Sequence, residues 1–169
     1  IYLSGQDRAK SIIDDLDIEV GKLKNAKIHP HLAIINASSD KNSKIYTKQK
    51  QNIGGAIGID ISVYTINQET TQSELVTLIE SLNEDSLVNA IVVQLPLEKR
   101  FNTQAVLNAI SPSKDVDGLN GGNFESPVVS AVTELINIYD LPKQGCLIIG
   151  SGVLVGNPLA LKFTNDGIG

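Results

Sequence analysis

Methionine and tryptophan are absent from this chain, and cysteine occurs once, at Cys146. A single cysteine excludes an internal disulfide, and no Cys/His cluster has the spacing of a zinc site. The two histidines, His29 and His31, flank Pro30; with no third ligand beside them they read as a strand-entry turn. Aromatic residues make up 4% of the chain, too few for a platform on which bases stack. No positive field exists either: the formal net charge is -5 and the basic residues are scattered, which argues against nucleic acid as a partner. Long apolar runs are missing. The stretch from Ala90 to Val93 falls far short of a bilayer span, so no membrane association is expected and a reducing, cytoplasmic setting is the default. What remains is ordinary for a folded protein, with 41% hydrophobic and 20% charged residues among 169. That length suits one good core, or one domain and part of another. The sequence opens at Ile1 and stops at Gly169, just past a glycine turn, and reads as part of a longer protein.

Ile12, Leu16, Val20 and Leu23 recur at helical spacing and predict a first amphipathic helix. His31 to Asn36 reads as a buried strand, Asp60 to Tyr64 as a second and Ala90 to Val93 as a third, cut off by Leu95-Pro96. A helix is predicted over Ser43 to Ile57, with Ile45, Ile53, Ala56 and Ile57 as its buried face and Gly58 as its stop. Leu75, Leu78, Ile79 and Leu82 mark another helix; Thr103 to Ile110 and Ser130 to Tyr139 read as two more. Leu147 to Ile149 is predicted as a strand, and Val155 to Asn165 as a helix. Strands that alternate with helices imply an α/β fold with a parallel sheet and right-handed crossovers. A domain break is placed near Gly121 to Ser126, dividing the chain into 1–123 and 124–169.

Four groups of residues carry possible chemistry. Tyr46 and Lys50 are four apart on a predicted helix and share a face, with Ser43 one turn earlier. A lysine held near apolar surface acts as a general acid or base, although most such pairs are solvated surface. Gln94-Leu95-Pro96-Leu97 sits where the third strand ends, and open parallel sheets bind ligands beyond the carboxyl ends of their strands. Lys114-Asp115-Val116-Asp117-Gly118 places two carboxylates in a loop, though Asp-Gly is also ordinary turn chemistry. Gly150-Ser151-Gly152-Val153-Leu154-Val155-Gly156 follows a predicted strand and opens a helix, the context of a dinucleotide loop. Its spacing is G-x-G-x-x-x-G, one residue longer than the standard pattern.

Taken in order, these segments resemble a family. Ser43-Lys44-Ile45-Tyr46-Thr47-Lys48-Gln49-Lys50 resembles the S-x-x-Y-x-x-x-K helix of the methylenetetrahydrofolate dehydrogenase/cyclohydrolase family. Val93-Gln94-Leu95-Pro96-Leu97 resembles its V-Q-L-P-L signature, and Pro112-Ser113-Lys114-Asp115-Val116-Asp117-Gly118 its P-x-K-D-V-D-G signature. Val155-Gly156-Asn157-Pro158 resembles the V-G-x-P of its nucleotide loop. The resemblance implies a folate-binding α/β domain followed by a Rossmann-like nucleotide-binding domain, incomplete here. It also implies two reactions in one cleft: oxidation of 5,10-methylenetetrahydrofolate with NADP (NAD in some members), then hydrolysis of the methenyl compound to 10-formyltetrahydrofolate. A homodimer is implied as well.

The resemblance assigns roles residue by residue. Lys50 matches the catalytic lysine that handles protons, and Tyr46 the tyrosine that packs on the folate ring. Gln94 matches the glutamine that hydrogen-bonds the lysine and favours its neutral amine. Asp117 matches the aspartate that bonds the pterin's amide edge. Leu95, Pro96 and Gly118 fall in the substrate-binding signatures, and Gly150, Ser151, Gly152, Val155 and Gly156 in the cofactor loop; no metal is implied. The sequence departs from the family where Ser151 stands in place of the loop arginine that partners a 2′-phosphate, and where Asn52 replaces a second lysine. The family's P-x-T-P is replaced by Ser126-Pro127-Val128-Val129 after a shortened connection. A cyclohydrolase with weak or absent dehydrogenase activity, and a non-catalytic folate-binding module, are the competing readings.

Overall fold

A computed structural model describes residues 3–142 and 144–168. Three parallel strands, β1 (His31–Asn36), β2 (Asp60–Thr65) and β3 (Ala90–Gln94), form a sheet in the order β2-β1-β3. Ile34 of the central strand lies opposite Val63 on one side and Val92 on the other. The helices are α1 (Gln6–Asn25), α2 (Lys41–Ala56), α3 (Gln72–Glu84), α4 (Thr103–Asn108), α5 (Pro127–Ile138) and α6 (Gly156–Asn165). The predicted α/β alternation with a parallel sheet therefore holds through residue 108.

Local chemistry sets the helix starts. Asp40 caps α2 by accepting the Ser43 N–H at 3.0 Å. Thr71 and Glu74 close a reciprocal capping box on α3. Asn102 caps α4, and Pro127 occupies the first turn of α5, where its missing N–H costs nothing. The pleat then divides the sheet into two faces. Ala33 and Ile35 point into the main core with Leu75 and Ile79 of α3 and Val106 and Leu107 of α4. The other face is covered by α2, whose Gly54 lies against Ile61 of β2. A smaller cluster of Val129, Leu159, Phe163 and Ile168 joins α5 to α6.

Three expectations are corrected. Ile45, Ile53 and Ala56 are exposed, and of the predicted face of α2 only Ile57 is buried. The buried residues within α2 are Ser43, Thr47 and Gly54, small side chains that let the helix approach the strands closely. In α1 only Val20 is buried, while Ile12, Leu16 and Leu23 stay exposed. That helix is fastened at its N-terminal end: Ser4 and Tyr139 exchange hydrogen bonds at 2.9 and 3.0 Å, and Arg8 pairs with Glu134 at 2.6 Å. Residues 147–149 are not a strand. Leu147 is 83% and Ile149 91% exposed, and no strand lies beside them among the described residues to complete a ladder.

The loops at the carboxyl end of the sheet are tied together by Arg100. Its Nη2 donates to the Asn67 carbonyl at 2.7 Å, Nη1 donates to the Thr70 carbonyl and Nε to Glu98 at 2.8 Å. The guanidinium also stacks 4.0 Å over the Phe101 ring. Arg100→Ala is expected to lower unfolding free energy by about 1–3 kcal/mol, and Arg100→Lys to recover only part of it. An unchanged urea midpoint in the alanine variant would show that this tie contributes nothing.

Candidate active site

At the carboxyl end of β3 the chain passes through the cis peptide Leu95-Pro96. There Gln94 is 8% exposed and its amide is held from two sides. Its Nε2 donates to the Leu95 carbonyl at 3.1 Å, and the Ser43 hydroxyl donates to that same carbonyl at 3.4 Å. The amide oxygen is thereby left facing α2, where it accepts a hydrogen bond from Lys50 Nζ at 3.0 Å. An ammonium and a neutral amine both make that bond, because each keeps an N–H to donate. Two residues 44 positions apart are thus brought into one contact.

Lys50 and Gln94 open onto a cleft of about 700 Å³. Tyr46 stands on its rim, 56% exposed, one helical turn before Lys50. Asp117 enters the wall from the loop after α4, and Leu95, Leu119 and Ile53 add apolar lining. Burial holds the Asp117 carboxyl above its ordinary pKa; Lys50 opposes that shift and Asp115 adds to it. Behind Asp117 the chain turns at Gly118 with φ +64°, and a Cβ there would come within 2.2 Å of the Phe124 carbonyl. Only glycine meets both demands.

The glycine turn borders the same space. Val155 and Leu154 line the main cleft opposite α2. Gly152, with Val153 and Leu154, forms a smaller cavity of about 310 Å³ against Leu95, Pro96 and Leu97. Gly150 and Gly156 touch: a Cβ on Gly156 would lie 2.2 Å from the Gly150 carbonyl. This contact folds the turn back onto the N-terminus of α6, where Asn157 N–H donates to the Gly152 carbonyl at 3.1 Å. Beside Gly150 and Gly152 the space is open, with no atom within 4 Å of a notional Cβ. Of the residues expected at the site, Tyr46, Lys50, Gln94, Leu95, Asp117 and Val155 share the main cleft. Pro96 and Gly152 line the neighbouring cavity, and Gly118, Gly150, Ser151 and Gly156 line neither. Asn120, which the sequence reading passes over, supports the Asp117 loop, and no spacing signal marks it.

The Lys50, Gln94 and Asp117 positions lie within residues 3–117, which match the model of the tetrahydrofolate dehydrogenase/cyclohydrolase catalytic domain. The bifunctional protein FolD of Acetivibrio thermocellus is 36% identical over 171 residues, which cover 94% of this chain and 60% of that protein. The same-named protein of Lactobacillus helveticus is 35% identical with the same coverage. Among solved structures, the bifunctional FolD enzyme of Campylobacter jejuni superposes with a TM-score of 0.89 at 32% identity, over 96% of this chain and 62% of that one. The Trypanosoma brucei methylenetetrahydrofolate dehydrogenase-cyclohydrolase, solved with NADP cofactor and an inhibitor, gives 0.89 at 28% identity, over 98% and 61%. The chain spans about three fifths of the length of the curated relatives it matches. Sequence, fold and cleft agree, and the chain belongs to the tetrahydrofolate dehydrogenase/cyclohydrolase family.

Proposed function

We propose that this protein oxidises 5,10-methylenetetrahydrofolate to the 5,10-methenyl compound with a nicotinamide cofactor and hydrolyses that product to 10-formyltetrahydrofolate. The observation that carries the proposal is the Lys50–Gln94 hydrogen bond, made inside a cleft that Asp117 and Tyr46 also line. In the hydrolytic step Lys50 takes a proton from the attacking water and returns one to the ring nitrogen that leaves. Gln94 holds the amine in place, its amide fixed by the bond to the Leu95 carbonyl. Asp117 accepts N–H bonds from the pterin edge, and Tyr46 lies along the ring plane as the cleft wall.

The open space beside Gly150 and Gly152, next to a helix N-terminus, suits the phosphates of a dinucleotide. Gly150, Ser151, Gly152, Val155 and Gly156 are assigned to it, with NADP as the expected cofactor and NAD as the alternative. When bound, the cofactor supplies the hydride acceptor. The two separate apolar clusters support a folate domain over 1–123 and the start of a nucleotide domain over 124–169. Among the described residues no helix is long and apolar enough to cross a membrane. A cytoplasmic homodimer in one-carbon metabolism serving purine synthesis completes the reading.

The test is the decay of methenyltetrahydrofolate absorbance with the intact protein, followed by calorimetric titration with NADP and with NAD. Decay above the buffer rate and binding of either nucleotide are expected. Decay without nucleotide binding would leave a cyclohydrolase alone, a reading that the missing loop arginine at Ser151 favours. Absence of decay would overturn the enzymatic assignment.

A further inference from the structure

The loop that carries Asp117 is held by two residues that have no part in the chemistry above. Asp115 is 1% exposed. Its Oδ2 accepts the Asn120 backbone N–H at 2.9 Å, and its own carbonyl accepts the Gly118 N–H at 3.2 Å. The Asn120 side chain reaches back across the loop, where Nδ2 donates to the Ile110 carbonyl at 2.6 Å. These bonds close the segment from Asp115 to Asn120 into a ring with Asp117 inside it. At the ring's start, Ile91 N–H donates to the Lys114 carbonyl at 2.8 Å. That bond ties the loop to β3, the strand that ends in Gln94.

Burying a carboxylate is costly, and at Asp115 the hydrogen bond from the Asn120 N–H offsets that cost. Neither Asp115 nor Asn120 lines the cleft, so any effect they have on a ligand passes through what they hold. We propose that Asp115 and Asn120 are positioning residues: they fix the turn that presents the Asp117 carboxylate to the cleft, and so set affinity for the folate ring without touching it. The inference rests on the assignment of Asp117 to the pterin edge.

The test is a double-mutant cycle on the intact protein, reading KM and kcat for hydrolysis of 5,10-methenyltetrahydrofolate. Asp115→Ala is expected to raise KM about tenfold, the loss of roughly one hydrogen bond to a charged group, with kcat nearly unchanged. Asp115→Asn keeps an oxygen to receive the Asn120 N–H and is expected to restore KM. In an Asp117→Ala background, Asp115→Ala is expected to change nothing more. An unchanged KM in Asp115→Ala, or effects that multiply in the double variant, would overturn the proposal while the function stands. A wild-type protein without turnover would overturn both together. If Asp115→Ala does not fold, Asn120→Ala goes through the same cycle under the same criteria, since it loses the bond to Ile110 but keeps the backbone N–H.

Discussion

Lys50→Ala is expected to lower kcat for methenyltetrahydrofolate hydrolysis by about 10²–10⁴-fold, the usual contribution of a positioned acid–base group. The fold should survive the change. Lys50 is half-buried and, among the described residues, its one side-chain hydrogen bond runs to Gln94, so the variant leaves a single amide oxygen unpaired, a cost of about 1–3 kcal/mol. Lys50→Arg sharpens the experiment. A guanidinium can still donate to Gln94 Oε1 and keeps the positive charge, but it does not give up its proton near neutral pH. If the lysine serves only as a cation for substrate binding, the arginine variant keeps most of the rate. If it moves protons, both variants fail alike. Gln94→Ala is expected to fall between wild type and Lys50→Ala, because it releases the amine without removing it. Hydrolysis at the wild-type rate in Lys50→Ala would remove this residue from the mechanism.

Asp117→Asn is expected to do two opposite things: weaken folate binding about ten- to a hundredfold and raise the melting temperature. The first follows from replacing a charged acceptor by an amide that faces the pterin N–H groups with one donor of its own. The second follows from linkage. Burial, helped by Asp115 and opposed by Lys50, raises the Asp117 pKa above its ordinary value. The folded protein therefore holds this proton more tightly than the unfolded chain does. The carboxylate is a net cost to folding above the folded pKa, and the cost is relieved as pH falls through it. The asparagine variant has no such cost at neutral pH. In the wild type, folate affinity should fall with decreasing pH earlier than an ordinary aspartate near pH 4 would allow, while Asp117→Asn should show no such titration. A variant with lowered stability and intact affinity would contradict both parts.

The elements that the sequence made legible are those whose periodicity and partners lie close at hand. In α3, Leu75, Ile79 and Leu82 are buried as their spacing demands, and β1 to β3 appear within a residue of their expected bounds. Periodicity misled where burial depends on a distant partner. The helical face of Ile45, Ile53 and Ala56 is solvent-exposed because the small Ser43, Thr47 and Gly54 sit against the sheet instead. Leu147 to Ile149 has the composition of a strand but, among the described residues, no neighbouring strand to pair with. The site was legible mainly as a family pattern. Nothing in the spacing of Tyr46 and Lys50 points to Gln94, since the sheet brings them together across 44 residues. The holding role of Asp115 and Asn120 stayed hidden for a different reason: Asp-Gly loops are common, and the bonds that distinguish this one run to main-chain atoms.

The strand order has a consequence for how the protein is made. The central strand, β1, is synthesised first, so β2 finds an edge waiting when it emerges, and the other edge stays open until β3 arrives. Lys50 lies on the crossover between the first pair, and Gln94 is the last residue of β3. A nascent chain released only as far as β2 carries the lysine without its partner. The Lys50–Gln94 contact forms when β3 pairs with the open side of β1, so on the ribosome the amine is matched to its amide only as the central strand gains its second neighbour.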